Sequence, residues 1–174
     1  MKVESLDEGL LLALLNTTPT VAGEVTDRLA DPEEAGAWIA EHAGEAHLGE
    51  DLALLRSTRD TLQALVHDQA TPAALAPALH GVSYQPLISD TGISWRLATP
   101  REHILAARAI VAWDALRHTA PGRLRACENK DECTLFFVDH SKSNSARWCS
   151  MAGCGNRMKA RRHYERRKNA PTIT

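Results

Sequence analysis

The chemistry-bearing residues of this 174-residue chain crowd toward one end. Its four cysteines, Cys127, Cys133, Cys149 and Cys154, follow the pattern Cys-x5-Cys-x15-Cys-x4-Cys. Two close pairs of soft sulfur donors suit a tetrahedral Zn2+, which asks for four ligands and no redox chemistry. With sulfur at every position nothing is left for water, so the ion would be one structural Zn2+ and not a catalytic one. Between the pairs, Thr134-Leu135-Phe136-Phe137-Val138-Asp139 reads as a strand, and the residues from Gly155 to Arg162 read as a helix. A first pair, a β-hairpin, then a second pair at a helix N-terminus is the order of a treble-clef-like finger, and the helix start favours anionic thiolates. Roughly 50 residues with few large apolar side chains need a staple to stay folded. Structural zinc contributes ~10–16 kcal/mol in small fingers, so metal binding and folding should be one event. Buried reduced thiols and two disulfides are the competing readings.

The second chemical feature is charge. The net charge of −2 hides two regions of opposite sign. Residues 1–122 hold 8 Lys+Arg and 17 Asp+Glu, a balance of −9, whereas residues 123–174 hold 12 and 5, a balance of +7. Four thiolates around Zn2+ would cut the latter to about +5. Seven of these cations fall between Arg157 and Lys168. Helical spacing sets Lys159, Arg162 and Arg166 on one face, and Arg157, Arg161 and Lys168 on a second with Tyr164 beside it. Such a helix spans ~18 Å over twelve residues, enough to follow several phosphates or enter a major groove. Lys142 and Arg147, in the loop before the second cysteine pair, complete the candidate nucleic-acid contacts. The competing reading is a solvated helix end that binds nothing. Asn156 and Arg157 are expected to hold the zinc turn by hydrogen bonds, Trp148 to pack inward, one of Phe136 and Phe137 to face a core, and Asp139 to cap the hairpin turn or pair with an arginine.

The elements that must carry this finger read as mostly helical over residues 1–120. Ser5-Leu6-Asp7-Glu8 is a capping-box pattern ahead of Leu10, Leu11, Leu14 and Leu15. Asn16-Thr17-Thr18-Pro19 breaks that helix. Asp31-Pro32-Glu33-Glu34 starts another, which Trp38 and Ile39 turn inward. A longer helix is expected from Glu45 to about Asp68 on a stripe of Leu48, Leu52, Leu55, Leu62, Leu65 and Val66. Thr71-Pro72 opens a short helix that His80-Gly81 closes. Residues 82–98 change period and read as one β-hairpin around Ser89-Asp90-Thr91-Gly92. Thr99-Pro100-Arg101-Glu102 is a second capping box, leading a helix to about Thr119 that Ala120-Pro121-Gly122 ends. The fold class expected is mainly α (α+β). A helical domain over residues 1–122 with one β-hairpin precedes the small four-cysteine finger over residues 123–174, which ends in a basic helix.

Within the finger, the run Arg147-Trp148-Cys149-Ser150-Met151-Ala152-Gly153-Cys154-Gly155-Asn156-Arg157, preceded by Leu135-Phe136-Phe137-Val138-Asp139-His140-Ser141, resembles the CGNR zinc-finger family. That family is named for the Cys-Gly-Asn-Arg run, here Cys154 to Arg157. Leu14-Leu15-Asn16-Thr17, Ala37-Trp38-Ile39 and Leu55-Arg56 are similar to the ABATE domain, its usual N-terminal partner. The resemblance implies a bacterial, stress-linked transcription regulator with its zinc ligands at Cys127, Cys133, Cys149 and Cys154. Two departures from the family pattern are the long spacer Glu128-Asn129-Lys130-Asp131-Glu132 and the loop from Ser141 to Arg147, which has fewer arginines.

The helical region shows no nucleophile–base pair, phosphate loop or open metal site, and its histidines are scattered, so no enzyme is expected. No stretch nears the ~18 apolar residues of a membrane span, and no signal-peptide pattern opens the chain. The expectation is therefore a cytoplasmic, nucleoid-associated regulator that binds DNA, whose helical domain senses a signal or pairs with a second copy. The alternatives are an adaptor for a protein or RNA partner and a ligand-binding helical domain. The acidic region could also fold back on the basic helix and inhibit it.

Overall fold

The computed structural model describes residues 7–21, 23–43 and 49–168. Five α-helices carry the architecture: α1 (Glu8–Leu15), α2 (Pro32–Ala43), α3 (Leu52–Val66), α4 (Ile104–Thr119) and α5 (Asn156–Lys168). Three separate antiparallel hairpins join them: β1 (Thr20–Val21) with β2 (Glu24–Val25), β3 (Ser83–Ser89) with β4 (Gly92–Ala98), and β5 (Leu124–Ala126) with β6 (Phe136–Val138). The sequence pattern anticipates one hairpin before the finger. The short β1–β2 pair is the second, and it carries no alternating apolar pattern by which to find it.

The core lies where α1, α3 and α4 meet. Leu11, Leu14 and Leu15 of α1, Leu55 and Leu62 of α3, and Leu105 of α4 are wholly buried. Each such side chain contributes about 1.5–3 kcal/mol by leaving water. Along α4, Ala106, Ala109 and Ala112 are buried too, and their small size lets the neighbouring helices come close. Asp31 caps α2 as expected, accepting from the Glu33 and Glu34 amides at 3.0 Å each. A half-buried ion pair locks the loop after α1: the buried Arg59 of α3 grips Asp27 with two bonds at 2.6 and 3.0 Å and donates to Thr17 Oγ1 at 3.2 Å.

Several helix limits differ from the pattern reading. The long helix expected from Glu45 begins only at Leu52, because Asp51 accepts from the Ala53 and Leu54 amides at 2.9 and 3.0 Å and so caps it there. It ends at Val66, two residues before Asp68, whose φ is 58°. Ser5, Leu6, Glu45 and Leu48 lie outside the described residues. Asp7 precedes α1 without capping it and binds Arg108 Nε at 2.7 Å instead. The segment opened by Pro72 is a 3-10 helix (Pro72–Leu79), since Pro77 has no amide to sustain α-helical bonding. The capping box at Thr99–Glu102 does not form. A 3-10 turn (Arg101–His103) intervenes, and Glu50, more than fifty residues upstream, supplies the cap: its carboxylate accepts from the Leu105 and Ala106 amides at 3.1 and 3.2 Å. Burial pushes the Glu50 carboxyl up to about 7, although these amides favour its charged form.

The finger is built onto this core. The first cysteine pair forms the closed end of the β5–β6 hairpin, so it does not precede a separate hairpin as the sequence order implied. The strand starts at Phe136, not Thr134, whose hydroxyl donates to the Thr18 carbonyl at 2.7 Å. Phe136 and Val138 are buried in the same core as α1 and α3. Asn16 exchanges two bonds with Phe136: its Nδ2 donates to the carbonyl at 3.1 Å, and its Oδ1 accepts from the amide at 2.7 Å. His67 meets the Phe136 ring edge-on at 5.6 Å, and His140 reaches Glu8 at 2.7 Å.

Candidate metal centre and nucleic-acid interface

The four sulfurs converge. Cys127 directly follows β5, Cys133 leads into β6, and the Cys127 amide donates to the Leu135 carbonyl at 2.8 Å, which closes the knuckle. Cys149 precedes, and Cys154 lies within, a wide π-type turn (Met151–Gly155) that runs into α5. The Ser150 hydroxyl caps that turn from the Gly153 amide at 3.2 Å, and the Gly155 amide returns to the Ser150 carbonyl at 2.9 Å. All four Sγ atoms lie within 4.8 Å of one another. Cys133–Cys149 and Cys149–Cys154 are 3.7 and 3.8 Å apart. A disulfide needs ~2.05 Å, so these are free thiols, whereas a tetrahedron of ~2.3 Å metal–sulfur bonds has edges of ~3.8 Å. The donor set and its spacing therefore fit one closed tetrahedral metal.

The surroundings of the sulfurs favour anionic ligands at one corner. Burial pushes Cys133 up to about 11 and raises Cys149 further. Burial opposes ionisation of Cys154 as well, but Arg157 Nη2 at 3.3 Å and the buried Asn129 Nδ2 at 3.8 Å hold it near about 7. Four uncompensated thiolates would repel one another, so a divalent ion held there would, with Arg157, balance the centre. Asn156 Nδ2 donates to the Ala152 carbonyl at 3.3 Å. Asn156 and Arg157 thus do what the sequence assigned them. Trp148 packs against the cysteines with the Arg147 guanidinium 5.3 Å over its ring. Asn129 and the capping carboxylate at Glu50 escaped sequence reasoning. A buried polar residue inside a charged loop, and a cap supplied across the fold, leave no local signal.

Asp139 both caps and pairs. It is buried, accepts from the Ser141 and Ala146 amides at 2.8 and 2.7 Å, and lies 3.8 Å from Arg125. The Ser141 side chain, and then these amides, hold its carboxyl below the usual carboxylate range. Arg125 donates to the Ala146 and Asn144 carbonyls at 3.0 and 2.9 Å, and Arg123 to Ser141 at 2.9 Å. The loop from Ser141 to Arg147 is therefore pinned from inside, with Lys142 on its exposed side. Two cations of the basic surplus are spent on carbonyls.

Helix α5 buries no side chain. Its cations fall into two groups. On one side, Arg161 meets Asp131 at 2.9 Å and Glu165 at 3.9 Å, and Arg157 lies 3.8 Å from Glu132. In the loop, Arg147 Nε binds Glu128 at 2.6 Å. The acidic knuckle thus neutralises three candidate contacts. On the other side, Arg162, Arg166, Lys159, His163 and Arg167 follow one another around an arc of about 140°. Among the described residues none of these five, nor Lys168 behind them, has a carboxylate within ion-pair distance. Arg167, missed in the sequence, shares the open arc. No acidic side chain of the described part of residues 1–122 reaches α5 either, so the fold-back contact is not seen.

A helical core carrying a four-cysteine metal finger with a basic helix defines the class. A family model described as "ABATE: Putative stress-induced transcription regulator" matches residues 8–121, and one described as "CGNR zinc finger" matches residues 123–167. The chain belongs to the ABATE family and ends in a CGNR zinc finger. Neither description is that of an enzyme. A search of curated proteins returns no match. Among the described residues no helix is long and apolar enough to cross a membrane.

Proposed function

We propose that the chain is a zinc-containing DNA-binding transcription regulator. Residues 1–122 form its helical part and residues 123–174 its finger. Cys127, Cys133, Cys149 and Cys154 hold one structural Zn2+, and the open arc of α5 lies along the phosphate backbone. The observation that carries this reading is the sorting of charge on α5. The knuckle acids neutralise one side, and five cationic or protonatable side chains on the other have no carboxylate to pair with among the described residues. Helix α5 rises ~1.5 Å per residue, so Lys159, Arg162, Arg166 and Arg167 span ~12 Å, the distance of a few successive phosphates. The ABATE description of a transcription regulator supports the same partner. Zinc supports it indirectly, because the metal fixes the turn from which α5 departs.

The test is fluorescence anisotropy of zinc-loaded protein on labelled duplex DNA across a salt series. Log K should fall against log salt with a slope of about −3 to −5 for four or five phosphates, and chelation should abolish binding. A flat salt response, or no binding by loaded protein, overturns the proposal.

A further inference from the structure

The β3–β4 ribbon is the least explained part of the chain. Its register pairs Tyr84 with Leu97, Pro86 with Trp95 and Ile88 with Ile93. Side chains alternate along a strand, so these six share one face, which is wholly apolar but for one phenol. At its base that face closes a groove of about 600 Å3 against α4, lined by Leu79, Val82, Leu97, Ile110, Val111 and Trp113. Toward the tip it has no floor. Ile88 is 85%, Ile93 66% and Trp95 40% exposed. Together they offer apolar area on the order of 400 Å2, the size of patch that on a soluble monomer is often functional. An isolated two-stranded ribbon is marginal in water, and among the described residues neither outer edge is paired.

We infer that this face binds a second copy of the chain, tip into groove, across a twofold axis. Each strand has seven residues, so the ribbon is ~24 Å long. Two ribbons laid antiparallel, face to face, bring each exposed tip over the other's groove in a single symmetric step. That makes the surface self-complementary, which a closed dimer requires. Two such patches, each seated on the smaller apolar surface of a groove, remove on the order of 1,100 Å2 from water, just above the ~1,000 Å2 that a specific interface needs. None of the six face residues is charged, and Asp114 at the groove wall is already paired with Arg117 at 3.0 Å. Pro86 has no amide and blunts the outer edge of β3, which favours pairing by faces over open-ended strand addition. The inference does not depend on DNA binding.

Sedimentation equilibrium of the zinc-loaded full chain tests it. The wild type should show a monomer–dimer equilibrium. Ile88→Lys, at a position exposed in the monomer, should weaken dimerisation at least ~100-fold by desolvating an ammonium against the groove, while its melting temperature matches that of wild type diluted to monomer. Val111→Glu in the groove should do the same. Mixing the two variants should restore dimers, because one contact then pairs Lys with Glu and the other is native. A wild type that stays monomeric to near-millimolar concentration overturns the inference, as does an Ile88→Lys protein that still dimerises. A monomer whose groove takes up the apolar dye anilinonaphthalene sulfonate would mark a small-molecule site and also overturn it. If Val111→Glu does not fold, Ile88→Lys decides alone.

Discussion

Replacing Asn16 by alanine tests whether the finger and the helical part stand or fall together. Asn16 follows α1, and its two bonds to the Phe136 backbone join segments 120 residues apart at 3.1 and 2.7 Å. Alanine leaves both the amide and the carbonyl of Phe136 without that partner, beside a ring only 5% exposed. A buried backbone group left unpaired costs ~1–3 kcal/mol; these bonds are part-buried, so the pair costs about 2–4 kcal/mol. At ~2–4 °C per kcal/mol for a chain of this size, the melting temperature should drop by ~5–15 °C. Phe136 and Val138 share their core with Leu14, Leu15 and Leu55, so the loss should move one cooperative transition as a whole. Differential scanning calorimetry of zinc-loaded protein reads this directly. A shift under ~2 °C would show that the Asn16 bonds carry no stability. A new low-temperature transition, with the main one unmoved, would show that the finger melts by itself and that the shared core does not couple the two parts.

Two further outcomes follow from the charges. In the salt series, Arg162→Ala and Arg166→Ala should each reduce the slope by about 0.9, whereas Arg161→Ala, already paired with Asp131, should change it by less than ~0.3; equal effects would refute the assignment of faces. Glu50 titrates near about 7 when folded, against 4.5 as its ordinary value, so the folded state holds its proton more tightly. Its contribution favours folding at low pH and is lost as pH rises from about 4.5 to 7, by at most ~1–2 kcal/mol after allowing for partial exposure. Glu50→Gln should flatten that part of the stability–pH curve measured by urea unfolding, and an unaltered curve would exclude Glu50 as its source.

The metal site was legible because its ligands come as two pairs, each close in sequence, and sulfur chemistry fixes what four of them can hold. The Asp31 cap was legible for the same local reason. The Thr99–Glu102 box shows the limit: its pattern is right, but Glu50 takes the α4 amides from across the fold. The start of α3 was not legible because a leucine stripe gives a helix its face and not its end, and Asp51 sets the end through two hydrogen bonds. The order of knuckle and hairpin was misread because strand pairing between β5 and β6 joins residues on either side of the cysteines.

By itself, then, the sequence determined the four-thiolate centre, the basic run after it and the split of charge at Gly122, because each depends on residue type and short spacing. Only the tertiary structure decided which cations are open. Arg161 and Lys159 are the same kind of charge two residues apart, but one faces Asp131 across the finger and the other faces solvent. It also decided that the finger rests on the helical core through Phe136 and that the β3–β4 ribbon overhangs a groove. Both depend on contacts between distant segments, where packing and geometry, not local pattern, set the free energy.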